Sequence, residues 1–448
     1  MGLLRPYQKD IFDKATVAFR QGARGILCCL PCRSGKSYVM AEMIERARGN
    51  VLVLAHRHTL INQHKALLES LGILTDKVRV ESVFTEASRL GQYAPEDVSL
   101  IIIDEAHLSE ANSYRKVCDY YAGKVVGFTA SPARLDGKPL TLFDTLVTGI
   151  TANELIGMGA ISDYDYYAPD LGIDTDNIET MAGEYHNGQL SDLMCESAIY
   201  GDVLKYYRTL GENRQAIAYC TSVKHSMQTA DMFNQNGISA VSIDGSMSMN
   251  ERNKRMDLFK SGQVQILCNC NLISEGVTLP HASVGLLLRP TMSLPLFIQQ
   301  SCRVLTPVEG KKAVIIDFVN NVQRHGMPTD DHEWSLAEPI KKRRQYNDDG
   351  TLSIRQCEHC FKCFKTAPTC PYCGYEYKVT SRELKHIQDV ELRKIEDIQR
   401  EEQERLRLHN RLEVGMARTI ADLQLIARQR GYKSGWVYQM AKVKHITR

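Results

Sequence analysis

The stretch Leu30-Pro31-Cys32-Arg33-Ser34-Gly35-Lys36-Ser37 stands between an apolar run, Gly25–Leu30, and a segment of helical periodicity. A strand that turns sharply into a helix aims successive backbone N–H groups, and the positive end of the helix, at one point in space, which suits a phosphate group. In that setting Lys36 reaches the β- and γ-phosphates of a nucleotide, Ser37 is placed to hold Mg²⁺, and Arg33, Ser34 and Gly35 line the loop. Gly-Lys-Ser alone is common; the strand before it and the helix after it give it weight. A second run, Ile101-Ile102-Ile103-Asp104-Glu105-Ala106-His107, ends an apolar strand in two adjacent carboxylates. Ligands of open parallel sheets bind at the carboxyl ends of strands. Asp104 can therefore hold the Mg²⁺, and Glu105 can polarise an attacking water. Two acids at a strand end are ordinary when taken alone. Paired with the Lys36 loop on another strand, they point to nucleoside triphosphate hydrolysis.

The third constellation is Cys357-x2-Cys360-x9-Cys370-x2-Cys373. Four thiolates in two Cys-x2-Cys knuckles can close tetrahedrally on Zn²⁺, and a filled, closed site is structural rather than catalytic. Cys363 and His359 are spare, and packing or exposure accounts for them. The chain has fourteen cysteines, and those before residue 303 are scattered, which fits a reducing cytosol and argues for metal over disulfides here. Arg355, Lys362, Lys365 and Lys378 alternate with Phe361, Phe364, Tyr372, Tyr375 and Tyr377. This pattern fits phosphate contacts with base stacking, and equally a small aromatic core with solvated lysines. Beyond it, residues 416–448 carry seven basic residues against Asp422, a net +6, and Gly431–Tyr438 mixes glycines with aromatics. Nucleic-acid binding and protein docking both suit that tail. Ile420, Leu423, Leu425 and Ile426 mark a face to bury.

Positioning these groups requires α/β architecture. Apolar runs at Gly25–Leu30, Val51–Ala55, Ser99–Asp104 and Val125–Thr129 alternate with amphipathic stretches, and the pattern repeats at Ala216–Cys220, Ala240–Asp244, Val264–Cys268, Val284–Leu288 and Ala313–Phe318. Such alternation predicts two units, each a parallel sheet covered by helices. The expected division is 1–160, a connector over 161–195, 196–325, a linker over 326–355, a cysteine module over 356–378, and a charged helix with a basic helical tail over 379–448. The module lies beyond the last strand, so its loss is expected to leave both units folded. Over 448 residues, a 43% hydrophobic and 24% charged composition excludes a mostly disordered chain. The net charge of +2 means nucleic-acid affinity must come from local patches, such as Lys341–Arg344 and the tail. No apolar run approaches the roughly 18–20 residues that cross a bilayer, and Met1–Pro6 lacks a signal-peptide core.

These motifs, in this order, resemble the superfamily 2 helicases and translocases. Leu30–Ser37 is similar to motif I, Asp104-Glu105-Ala106-His107 to motif II, Val51–Gln63 to motif Ia and Thr129-Ala130-Ser131 to motif III. Leu4-Arg5-Pro6-Tyr7-Gln8 resembles the adenine-reading element, Glu275–Pro280 motif V with Gly276, and Gln299-Gln300-Ser301-Cys302-Arg303 motif VI. The resemblance implies two tandem RecA-like domains with ATP and Mg²⁺ in the cleft between them. It implies Gln8 as base reader beside Arg5, Arg303 as arginine finger, and Gln299 and His107 as relays. Five positions depart from the pattern. Leu30 stands where the phosphate loop usually has its first glycine. Arg33 stands where motif I has glycine, and Thr278 where motif V has aspartate. Cys302 replaces the motif VI glycine, and Thr306 its second arginine.

The expectation is an ATP-driven DNA helicase or translocase acting on forked or branched DNA in replication, recombination or repair, similar to RadD-like and bacteriophage enzymes. It is expected to work as a monomer in the cytoplasm of a bacterial or phage-infected cell, away from membranes. The alternatives are an RNA helicase, the motor of a restriction system, or a zinc-bearing binding module with a decayed ATP site.

Overall fold

The computed structural model describes residues 4–132, 139–169, 178–181, 184–195, 197–270, 279–332, 334–336, 353–377, 419–430 and 434–443. Gly276, Lys341–Arg344 and most of the charged segment after the cysteine module lie outside them. Two units divide the chain, Met1–Tyr375 and Glu376–Arg448.

The first lobe of the larger unit runs α1 (Pro6–Arg20), β1 (Gly25–Cys29), α2 (Lys36–Arg46), β2 (Val51–Ala55), α3 (His58–Ser70), β3 (Val78–Ser82), α4 (Val83–Ser88), β4 (Leu100–Asp104), α5 (Asn112–Tyr120), β5 (Lys124–Thr129) and β6 (Thr145–Thr148). Its strands form a parallel sheet in the order β3-β2-β4-β5-β1-β6. β1 and β2 are buried at every residue, as a sheet covered on both faces demands. The register pairs Cys29 with Thr129 and Asp104 with Phe128, so the loops after β1, β4 and β5 leave from one edge.

The second lobe contains α6 (Ala152–Gly157), β7 (Tyr164–Tyr167), β8 (Thr180–Met181), β9 (Glu184–Tyr185), α7 (Asn187–Met194), α8 (Ser197–Leu210), β10 (Ala216–Tyr219), α9 (Val223–Gln235), β11 (Ala240–Ile243), α10 (Met249–Lys260), β12 (Ile266–Asn269), β13 (Val284–Leu287), α11 (Leu294–Cys302), β14 (Ala313–Asp317) and α12 (Asn321–His325). Its parallel sheet is ordered β11-β12-β10-β13-β14-β7. Two tandem RecA-like lobes are therefore present.

The anticipated strands all form, with ends moved by a residue or two. The two sheets add three strands beyond them: β3, β6 and β7. All lie at sheet edges, where one side of the strand is open and polar residues interrupt the apolar run. β7 corrects the connector over 161–195, because its Tyr-Asp-Tyr-Tyr sequence joins the second sheet beside β14.

The cysteine module also differs from its expected independence. Its hairpin, β15 (Ile354–Gln356) and β16 (Cys363–Lys365), is antiparallel. Ile354 and Cys363 belong to the same buried cluster as Tyr166, Phe297 and Ile315. Tyr167 on β7 bridges to Lys362, and the Lys362 ammonium meets Asp165 at 2.8 Å. Lys365 meets Asp330 at 3.1 Å, and Tyr164 bonds Thr329 at 2.8 Å. The 326–355 linker therefore begins and ends as part of the lobe. Apolar surface at Ile354 and Cys363 can be buried only against the lobe, so module and lobe share one core.

In the smaller unit, α13 (Ile420–Arg430) and α14 (Ser434–Val443) pack through Leu423, Ile426 and Ala441, with Trp436 partly buried against them.

Candidate active site

The loop after β1 keeps the shape a phosphate cradle requires. Arg33 has φ +66° and Gly35 φ +80°. A Cβ on Gly35 would collide with the Gln8 amide, so that position needs glycine. Arg33 adopts a left-handed conformation that disfavours side chains, at a cost of order 1–3 kcal/mol. The Ser34 hydroxyl is buried without a hydrogen-bond partner. Lys36 rests its ammonium on the Leu30 and Pro31 carbonyls at 3.5 and 3.4 Å. Lys36 and Ser37 open α2, where free backbone N–H groups gather. An orphaned hydroxyl, a helix N-terminus and a loosely held ammonium together fit a bound triphosphate.

Gln8 locks this loop to α1. Its amide donates to the Ser34 carbonyl at 2.9 Å and accepts from the Arg5 backbone N–H at 2.9 Å, while the Tyr7 hydroxyl donates to Ser34 at 3.2 Å. Asp104 and Glu105 stand on the same edge, at the end of β4. One Asp104 oxygen accepts the Glu105 N–H at 2.9 Å, and the other meets the His64 Nε2 at 2.9 Å. Glu105 also has a positive φ, +49°. Its Oε2 lies 3.4 Å from His107 Nδ1, which in turn lies 3.3 Å from the Thr129 hydroxyl. Thr129 then bonds the Ser131 carbonyl at 3.0 Å.

The second lobe closes the site. Gln299, near the end of α11, donates to the same Glu105 oxygen at 3.4 Å. Arg33 crosses the other way, donating to the Arg303 carbonyl at 3.4 Å. Burial pushes the Glu105 carboxyl up. The His107 hydrogen bond, with the charges of His107, Lys36 and Arg303, outweighs burial and holds it down to about 2. Burial, then the charge of Arg303, draws Arg33 down to about 10, so it stays a cation at neutral pH. Interaction between the Cys32 and Cys302 thiols across the cleft lowers Cys32 and raises Cys302.

Comparison with known proteins agrees with this geometry. The model for type III restriction enzyme res subunits matches residues 2–88 and 75–134, and the helicase conserved C-terminal domain matches residues 200–306. A 51.5 kDa protein of a Lactococcus phage is 36% identical over 334 residues, covering 73% of this chain and 72% of the relative. The chain belongs to the superfamily 2 helicases. The IRC3 protein of Saccharomyces cerevisiae, assigned as an ATP-dependent helicase, is 29% identical over 354 residues, 71% of this chain but 51% of its own length. A fragment assigned as the HsdR subunit of a type I restriction enzyme from Vibrio vulnificus shares the fold, with a TM-score of 0.58 at 18% identity, over 73% of this chain and 66% of that one.

The helicase thus brings together Arg5, Gln8, Arg33, Ser34, Gly35, Lys36, Ser37, Asp104, Glu105, Gln299 and Arg303 around one cleft. Sequence reasoning missed His64, because it sits in no motif and meets its partner 40 residues away. The signal that could have found it is a lone histidine on the apolar stripe of α3.

The candidate metal centre of this helicase lies in the cysteine module. The thiols of Cys357, Cys360, Cys370 and Cys373 all fall within 4.8 Å of one another, with Cys357–Cys373 at 3.6 Å and Cys360–Cys370 at 3.7 Å. Tetrahedral bonds of about 2.3 Å place sulfurs about 3.8 Å apart, so the set fits Zn²⁺. The backbone N–H groups of His359 and Cys360 both point at Cys357 Sγ, at 3.4 Å, which favours a thiolate. Cys363 is buried in the lobe's core. Lys362 and Lys365 are committed to Asp165 and Asp330, whereas Phe361, Tyr372 and Tyr375 are exposed. Among the described residues, no helix is long and apolar enough to cross a membrane.

Proposed function

We propose that this helicase couples ATP hydrolysis at the Lys36–Glu105–Arg303 cleft to movement along DNA, with forked or branched DNA as its preferred substrate. The observation that carries the reading is the meeting of His107 from one lobe and Gln299 from the other on a single Glu105 oxygen. A carboxylate held by both lobes changes its surroundings whenever the lobes move, which ties hydrolysis to motion. Ser37 and Asp104 would hold Mg²⁺, which would supply charge neutralisation at the β- and γ-phosphates. Backbone N–H groups at the start of α2 and the Lys36 ammonium would orient the phosphates. Arg5 would lie toward the base, with Gln8, bonded to the Ser34 carbonyl and to the Arg5 N–H, tying the base side of the site to the phosphate loop. Glu105, strongly acidic, orients and polarises the water, and Arg303 steadies the charge that spreads in the transition state. Cys357, Cys360, Cys370 and Cys373 hold a structural Zn²⁺. The restriction-enzyme likeness supports DNA over RNA and favours one second reading, a motor that translocates on duplex DNA for a separate nuclease. The protein acts as a monomer in the cytoplasm of a bacterial or phage-infected cell.

Glu105→Gln tests the core of this. The amide keeps the shape but accepts no proton. Nucleotide binding is expected to persist while DNA-stimulated phosphate release nearly vanishes. Wild-type turnover in this variant removes Glu105 from the chemistry. ATPase stimulation by single-stranded, duplex and forked DNA and by RNA then separates the substrate readings.

A further inference from the structure

Buried residues on α3 are Leu60, Ile61, His64 and Leu68. This is one stripe of the helix at i, i+1, i+4 and i+8, and three of its members are apolar. An imidazole in such a stripe costs free energy unless its nitrogens find partners. His64, 6% exposed, has Nε2 2.9 Å from Asp104 Oδ2, and Asp104 is itself 7% exposed. A carboxylate oxygen accepts, so the proton of this bond sits on His64 Nε2, which donates to Asp104. The other Asp104 oxygen accepts the Glu105 N–H.

We propose that His64 is a positioning residue of the ATP site, fixing the Asp104 carboxylate so that it takes a divalent cation. The proposal rests on Asp104 as the metal-holding carboxylate. The last torsion of an aspartate is broad and easily turned. Two donors from different elements, a ring on α3 and a backbone N–H at the end of β4, grip one oxygen each and stop that rotation. Each oxygen keeps a lone pair free for the cation or its water. The paired strands β2 and β4, with Leu54 opposite Ile103, hold the start of α3 beside Asp104. The arrangement reverses the usual carboxylate–histidine–metal pairing, with the carboxylate as ligand and the imidazole as its outer hydrogen-bond partner; loss of such outer partners typically costs about 10–100-fold in affinity. His64 does not serve as the ligand itself, because its Nε2 is spent on Asp104 and Mg²⁺ prefers oxygen.

The test uses the full chain and reads binding instead of turnover: a fluorescent ATP analogue is titrated with Mg²⁺. His64→Phe fills the space without a donor. It is expected to raise the Mg²⁺ half-saturation by about 10–100-fold while leaving affinity for the metal-free nucleotide, measured in EDTA, unchanged. His64→Gln, whose amide reaches the Nε2 position, should restore the wild-type midpoint. If the Phe variant does not fold, His64→Asn, polar but too short, takes its place with the same expected shift. Asp104→Asn is the reference. If Asp104→Asn raises the midpoint and His64→Phe leaves it at the wild-type value, His64 only packs and the proposal is overturned. If Asp104→Asn also leaves it unmoved, the metal assignment falls and the proposal falls with it.

Discussion

Arg33 carries both a cost and a benefit on one residue. Its backbone sits at φ +66°, and its guanidinium reaches the Arg303 carbonyl at 3.4 Å. Where the family has a second motif VI arginine, this chain has Thr306, whose hydroxyl donates to the Arg303 carbonyl at 3.3 Å. Arg33 and Thr306 thus share the Arg303 carbonyl as acceptor, and Arg33 brings a cation of the first lobe beside Arg303. Arg33→Gly should relieve the backbone strain and raise the melting temperature slightly, since glycine takes positive φ freely. The same change should weaken ATP binding, because a buried cation leaves the cleft. Melting curves with and without nucleotide read both effects, and a variant that loses stability while binding ATP normally would show that Arg33 is purely structural. Arg303→Ala should instead spare affinity and cut turnover by about 10²–10⁵, the range for arginine fingers. That Lys36, Asp104 and Glu105 come to one sheet edge could be read from their types and spacing. The His64 contact could not, since only folding brings α3 onto β4.

Edge strand β7 and the cysteine hairpin stabilise each other. β7 has β14 on one side only, and an uncovered edge invites unwanted pairing. The Tyr167–Lys362 bridge and the Lys362–Asp165–Lys312 ion pairs cover it. Metal removal should therefore loosen more than the knuckles. Chelation, or Cys360→Ser, is expected to release one Zn²⁺ per chain, lower the melting temperature and speed hydrogen exchange at Tyr164–Tyr167. Cys363→Ser should keep the metal yet destabilise the lobe, because a hydroxyl replaces a sulfur that is only 1% exposed. Unchanged exchange in β7 after complete metal loss would show that the module is a passenger. The central strands could be read from their apolar runs, since residues buried on both faces have little freedom of type. β3, β6 and β7 could not, because an edge strand's partner, rather than its own composition, decides whether it pairs. The cysteine spacing predicted the four-thiol cluster but not the docking, which depends on Ile354 and Cys363 finding the core of the lobe.

Across the whole molecule, the basic residues that could hold a second nucleic-acid arm are concentrated after the motor. Residues 416–448 carry +6 against a whole-chain +2, so the rest of the protein is net negative and attracts phosphate only locally. Cutting the chain after Phe318 would remove Ile354 and Cys363 from the lobe's core, so any lost activity would reflect unfolding. The informative cut falls at Tyr375, where the larger unit ends. Trp436→Ala is a poor probe of base stacking, because the ring packs with Leu423, Ile426 and Ala441. Lys442, exposed near the end of α14, is a better one. A tethered basic unit raises the effective concentration of a second arm once the motor holds the first, a gain available on forks and crossovers but absent on linear duplex. A chain ending at Tyr375 should therefore keep ATPase stimulated by linear DNA and lose preference for forked DNA. Lys442→Glu in the full chain should reduce that preference and flatten its salt dependence, since every phosphate that a lysine neutralises adds about 0.9 to the steepness of the log–log slope on duplex DNA. Matched linear and forked substrates over a salt series give the comparison. If the shortened chain still prefers forks with an unchanged slope, the two lobes themselves read the junction and the basic tail serves another partner.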